Sequence, residues 1–215
     1  MQPIKKSFFL VIDGIDGCGK TTQCKLLKEY LNNIGLNILL TKEPGGTKTG
    51  TILRNILIST DYDIEPNTEL LLYSADRLEH QKKIIIPGLN SGKTIICDRF
   101  ISSTYAYQIF ARGLEKSFLQ YLEQHTVFKW PDLTIIIDLP VEIALERALK
   151  RLKDQNCENS EGKFEKNGID FYKKVREGFL WYSKNYKNVK VINGDRDIDS
   201  LFKEIKSIVN EKLCL

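Results

Sequence analysis

The sequence predicts a three-layer α/β sandwich, a five-stranded parallel sheet with helices on both faces, and three observations carry that prediction. Short, continuous apolar runs alternate with longer stretches of helical periodicity, the pattern of strands buried on both faces and joined by crossover helices. A glycine-rich segment, Gly14-Ile15-Asp16-Gly17-Cys18-Gly19-Lys20-Thr21-Thr22, stands between the first apolar run and the first helical stretch. A chain of 215 residues suffices for one well-buried domain with little left over, so a single domain spanning 1–215 is expected.

Taken in order, Phe8-Phe9-Leu10-Val11-Ile12 is rich in β-favouring residues and reads as a buried strand. Leu26, Leu27, Tyr30 and Leu31 then recur at helical spacing until Gly35 offers a stop. Asn37–Thr41 is the second strand, followed by the turn-forming Glu43-Pro44-Gly45-Gly46-Thr47. Helical patterns cover Gly50–Ile58 and Thr68–Ile86, the latter closed by Pro87 and Gly88. Thr94–Cys97 is the third strand, ended by Asp98-Arg99, and one helical stretch is expected from about Ser102 to Val127. Leu133–Ile137 and Val189–Ile192 supply the fourth and fifth strands, and Ile198–Lys212 a last helix. Right-handed crossovers bring the loops after Gly14, Glu43, Asp98 and Asp138 to one sheet edge. Between basic helical stretches lies the polar, aperiodic segment Asp154–Gly162, either a plain surface loop or part of a lid at about 147–166; beside a phosphate loop the lid is favoured.

Composition narrows the class. A hydrophobic content of 42% with 28% charged residues is that of a soluble globular chain. The net charge of +4 is too mild to argue for nucleic acid. It is unevenly placed, with 12 Lys and Arg against 7 Asp and Glu between Glu146 and Lys190. The cysteines Cys18, Cys24, Cys97, Cys157 and Cys214 have no metal-site spacing, so reduced thiols in a cytoplasmic protein are expected. No run approaches the ~20 apolar residues of a membrane span.

The segment from Gly14 to Thr22 fits G-x-x-x-x-G-K-[ST], and its strand-before, helix-after context is the one the motif requires. Glycines let successive backbone N–H groups turn toward phosphate oxygens, and the following helix adds its positive end. Lys20 is expected on the β- and γ-phosphates and Thr21 on Mg2+, with Asp98 at a strand end as its second oxygen donor. These residues bind a nucleoside triphosphate. Arg99 offers a bidentate grip on a second phosphate, and Arg54 and Arg77 would join it if their helices converge there.

Further blocks carry a resemblance. Asp13 to Thr22, Glu43-Pro44-Gly45-Gly46-Thr47, Tyr73-Ser74-Ala75-Asp76-Arg77 with His80, and Asp98-Arg99-Phe100-Ile101-Ser102-Ser103-Thr104 resemble the thymidylate (dTMP) kinase family of P-loop nucleoside monophosphate kinases. So do Ala106-Tyr107-Gln108, Ala111-Arg112-Gly113, Pro131–Thr134 and Phe171–Gly178, in the same order over nearly the whole chain. The resemblance implies a P-loop NTPase-type sheet, the reaction ATP + dTMP → ADP + dTDP, and a homodimer. It implies that Tyr73 stacks on thymine, that Arg77, Thr104 and Gln108 face the base with Glu43 beside them, and that Tyr107 lies against the sugar. It further implies that Arg54 and Arg99 hold the dTMP phosphate and that Asp16 helps position the substrates.

Three departures stand out. Tyr73 occupies a position that is most often Phe, Gly17 a position where one branch of the family has arginine, and Gly162-Lys163-Phe164-Glu165 replaces Asp-Arg-Phe-Glu. The lid cation is therefore expected as in bacterial-type enzymes, from Arg147, Arg151 or Lys163, with Arg151 taken as the catalytic choice. The competing readings are a kinase for another nucleoside monophosphate or a deoxynucleoside, and a nucleotide-binding regulator without an acceptor.

Overall fold

The computed structural model describes residues 7–154, 164 and 167–215. Five parallel strands, β1 (Phe8–Gly14), β2 (Ile38–Lys42), β3 (Thr94–Asp98), β4 (Leu133–Asp138) and β5 (Val189–Asn193), form one sheet in the order β2-β3-β1-β4-β5. The apolar runs of β1, β3 and β4 become strands with both their faces covered. From Phe9 to Ile12, β1 is fully buried, and Ile95, Ile96 and Ile135 are equally closed off. The register pairs Ile12 and Lys42 with Asp98, and Gly14 with Ile137, so the strands deliver their carboxyl ends to one edge.

Helix α1 (Lys20–Asn33) packs on β1, β2 and β3, with α9 (Ile198–Leu213) beside it through Tyr30, whose hydroxyl bonds the Asn210 side chain at 3.1 Å. Helix α2 (Lys48–Ile58) starts where the Thr47 side chain accepts from the Gly50 N–H at 2.8 Å. It lies against α3 (Pro66–His80), whose first helical residue is a proline and whose cap is Glu65, accepting from Thr68 N–H at 2.9 Å. Helix α7 (Val141–Asp154) follows β4, and α8 (Gly168–Asn185) packs on β4 and β5.

Two expectations are corrected. Pro87 does not close the helix: after α3 a wide π-turn, Gln81–Ile85, leads into α4 (Ile86–Asn90). The Ile86 N–H bonds to Gln81 O, five residues back, so the helix ahead of the proline is wider than an α-turn and the missing N–H breaks no regular ladder. The stretch expected as one helix from Ser102 to Val127 is also divided. It runs as α5 (Ile101–Thr104) into a π-helical turn over Tyr105–Ala111, stops at Gly113 with φ +75°, and resumes as α6 (Lys116–Thr126).

The π segment packs closely on α8. A Cβ added at Gly178 would lie 2.6 Å from Ala106 Cα, so glycine there lets the two backbones touch. The lid expected at about 147–166 falls partly on α7; Cys157, Gly162, Lys163 and Glu165 lie outside the described residues. Among the described residues, Cys18, Cys24, Cys97 and Cys214 are free thiols, and no helix is long and apolar enough to cross a membrane.

Candidate active site

The loop between β1 and α1 keeps its shape through close backbone approaches. Gly17 has φ +82°, and a Cβ there would lie 2.1 Å from Ala144 O, so the backbone of α7 sits directly on the loop. The arginine found here in one branch of the resembling family has no room without displacing α7. Lys20 is nearly buried, its ammonium donating to Gly14 O at 2.9 Å and Ile15 O at 2.8 Å. The Thr21 hydroxyl donates to Asp98 Oδ2 at 2.5 Å, bringing together two hard oxygens, one from the first turn of α1 and one from the end of β3. Gly17, Gly19, Lys20, Thr21, Thr22, Asp98, Arg147 and Arg151 line one cavity.

A second cavity, of about 650 Å³ including its mouth, opens beside it. Asp16, Glu43, Arg54, Tyr73, Arg77, Arg99, Thr104, Tyr107 and Gln108 all line it, so the arginines on α2, on α3 and after β3 do converge. The two cavities share Asp16, Glu43, Arg54, Arg99 and Arg151.

That shared wall is an electrostatic knot. Arg99 takes the left-handed conformation at φ +72°, and its guanidinium pairs with Asp16 while donating to Ser103 Oγ at 3.0 Å. Tyr107 donates its hydroxyl to the other Asp16 oxygen at 2.6 Å, and Tyr172 reaches the same atom at 3.5 Å. Burial works to raise the Asp16 pKa, yet the Arg99 and Lys20 cations and the Tyr107 hydroxyl together hold it well below the usual carboxylate range. Behind Arg99, the fully buried Asp13 accepts from Ser102 Oγ at 2.5 Å, Ser103 Oγ at 2.8 Å and Gly14 N–H at 2.9 Å. Its carboxyl pKa is raised, because burial outweighs the Arg99 charge and the serine hydrogen bonds.

On the far wall, Arg77 is held rigidly although only 2% exposed. Its Nε donates to Glu43 Oε2 at 3.0 Å, and one Nη donates to Thr104 Oγ1 at 2.8 Å. Its other Nη is buried and finds no partner among the described residues. The second oxygen of Glu43 is 2.9 Å from His80 Nδ1, so both Glu43 oxygens are engaged within the protein. Tyr73 is half-buried, and burial followed by the Glu69 charge raises its hydroxyl pKa far above the ordinary value.

These residues leave one question of family, and its answer comes from comparison. A family model described as thymidylate kinase matches residues 12–205. The chain belongs to the thymidylate kinase family. It is similar to the thymidylate kinase of Maridesulfovibrio salexigens, 44% identical over 95% of this chain and 96% of that protein. It is also similar to that of Wolbachia pipientis subsp. Culex pipiens, 41% identical over 95% of this chain and 96% of that one. The crystal structure of thymidylate kinase from Ehrlichia chaffeensis matches with a TM-score of 0.76 and 34% identity, covering 94% of this chain and 98% of that one. Of the residues expected at the phosphate loop, Gly14, Ile15 and Cys18 are not in the lining of the first cavity, and Ile15 and Cys18 are buried.

Sequence reasoning missed others. Among the described residues, Pro44, Ile58, Phe100, Ser103 and Phe164 complete the lining of the second cavity. Phe164, from the expected lid motif, meets the Tyr107 ring edge-on at 5.3 Å between centroids. Ser103, Phe164 and Tyr172 each stood inside a motif block already noted, so the signal was present and unread. Glu43 lines both cavities while its two oxygens are engaged by Arg77 and His80.

Proposed function

We propose that this thymidylate kinase family member transfers the γ-phosphoryl group of Mg·ATP to dTMP, giving dTDP and ADP for dTTP synthesis. The observation that carries the reading is the common wall of the two cavities, where Asp16, Arg54, Arg99 and Arg151 stand between a phosphate loop and an arginine-lined pocket. Phosphoryl transfer asks little covalent chemistry of a protein: it needs two anions brought in line and their charge neutralised.

In this reading an oxygen of the dTMP phosphate attacks the γ-phosphorus, and the bond to the β-phosphate oxygen breaks with its electron pair leaving on ADP. Gly14 to Thr22 cradle the ATP phosphates, and Lys20 releases its loop carbonyls to meet them. Arg54 and Arg99 hold the dTMP phosphate, Asp16 orients the acceptor, and Arg147 and Arg151 supply lid cations. Tyr73 stacks on thymine, while the partnerless Nη of the rigid Arg77 and the side chains of Thr104 and Gln108 face its edge. Tyr107 crowds the sugar where a ribose would carry its 2′-hydroxyl.

Thr21 and Asp98 would hold Mg2+, which neutralises phosphate charge when bound. Among the described residues no group of three metal-binding side chains occurs, and this fits an ion that takes its remaining ligands from phosphates and water. A homodimer would cover apolar side chains exposed on helices packed side by side: Ile52 on α2, Leu71 and Leu78 on α3, and Tyr121 on α6. The free thiols accord with a cytoplasmic setting.

The test is ADP release from Mg·ATP with dTMP, dUMP, UMP, AMP, CMP and thymidine offered separately. Fast turnover with dTMP, slower with dUMP and negligible with the rest is expected. Turnover with thymidine and not dTMP would sink the phosphate roles of Arg54 and Arg99, and ATP binding with no acceptor-dependent turnover would leave a regulator.

A further inference from the structure

Behind the base-facing wall lies a cluster to which no role has yet been given. Glu69, on the first turn of α3, is completely buried. It pairs with Arg112, whose Nη2 is 3.2 Å from Glu69 Oε2 and whose Nε is 3.4 Å from Oε1. Arg112 is itself wedged between aromatic faces, its guanidinium carbon 5.6 Å from the ring centroids of both Phe164 and Phe171. The same Glu69 Oε1 accepts from Gln108 Nε2 at 2.9 Å.

A carboxylate paired with a guanidinium only accepts hydrogen bonds. The Gln108 amide therefore must turn its NH2 to Glu69, which leaves its carbonyl oxygen as the acceptor for the cavity it lines. We infer that Glu69, clamped by Arg112, fixes the orientation of the Gln108 amide and thereby selects a pyrimidine with an N–H at ring position 3. Thymine and uracil present that donor; cytosine presents a bare nitrogen acceptor and would meet oxygen lone pairs. Glu69 and Arg112 are positioning residues, acting through Gln108 without touching substrate. The inference rests on the dTMP reading above and adds the group that enforces it.

A mismatched buried donor or acceptor costs discrimination of a tenfold or more, since about 1.4 kcal/mol is one decade. Glu69→Gln keeps the shape but can donate as well as accept, so it frees the Gln108 amide to flip. The experiment measures kcat/KM for dTMP, dUMP and dCMP in the wild type and in Glu69→Gln, with folding checked by thermal melting. The dTMP-to-dCMP ratio should fall about tenfold while the dTMP-to-dUMP ratio, which does not depend on the N3 proton, stays put. In a Gln108→Ala background, Glu69→Gln should move the first ratio no further. A ratio kept in Glu69→Gln while all acceptors slow together, or one moved equally in the Gln108→Ala background, overturns the inference.

Arg112→Lys is the second variant, retaining the charge but not the planar fork. It should lower the dTMP-to-dCMP ratio about threefold, and an unmoved ratio there decides against the inference should Glu69→Gln fail to fold. A wild type that does not turn over dTMP would instead refute the proposed function.

Discussion

Arg99 sits at φ +72°, a conformation that costs a side chain of this kind about 1–2 kcal/mol, and its neighbours hold it there. Its own N–H bonds to Ile12 O at 3.1 Å, and Asp13 gathers the two serines and the Phe100 N–H just beyond it. An Asp13→Asn protein would set an amide NH2 against a backbone N–H, that of Gly14 or of Phe100, which only donates. It should lose about 1–3 kcal/mol of stability by urea unfolding. Its activity should fall further than that loss explains, because Arg99 is released. Wild-type kinetics in the folded variant would remove Asp13 from this account.

Asp76 offers a second test at the same scale. It is 1% exposed, one oxygen accepting from Gly45 N–H at 3.1 Å and the other without a partner among the described residues. Burial, then the Glu43 charge, raises its pKa from 3.8 to about 6, against the pull of the Gly45 N–H, His80 and Arg77. A raised carboxyl pKa means that the folded state binds the extra proton, so Asp76 lowers stability as pH rises from about 4 to about 6 and contributes no slope above that. Asp76→Asn should remove that part of the slope in denaturation midpoints measured across this range. An unchanged slope would mean that Asp76 is already ionised when folded.

Among the elements, the π segment Tyr105–Ala111 carries the most function for its length. Tyr107 and Gln108, neighbours in sequence, both reach the cavity while Ala106 turns to α8. The contact at Gly178 holds that arrangement. Gly178→Val should cost about 1–3 kcal/mol through overpacking and weaken dTMP binding more than ATP binding. Equal losses for both substrates would show that the strain spreads beyond the π segment.

This element also marks the limit of what the sequence reveals. The central strands β1, β3 and β4 were legible because continuous apolar runs buried on both faces have few other uses, and the phosphate loop because its strand and helix flank it. The two π segments were not, since over five to seven residues a wider turn leaves almost the same apolar spacing as an α-turn. The three arginines were legible as candidates, but their convergence depends on how α2 and α3 pack. Glu43 shows the same gap: its partners Arg77 and His80 stand 34 and 37 residues away, with no local pattern linking them.

At the scale of the whole molecule, both cavities open at one sheet edge, and two of the cations there already have internal partners. Lys20 rests on carbonyls, and Arg99 on Asp16.

Gly17 gives the molecule a further property, one of timing. With the α7 backbone seated on it, and Ala148 N only 3.1 Å from where a Cβ would stand, the loop and the helix have no slack between them. Whatever stiffens the loop should also slow the opening of α7. In hydrogen–deuterium exchange, a non-hydrolysable ATP analogue with Mg2+ should protect the α7 amides near Ala148 together with those of Gly17 to Thr22. Protection confined to the loop would mean that the contact transmits nothing. If both respond, the chain registers its donor nucleotide along α7, toward Arg151 and the second cavity, before any acceptor has entered.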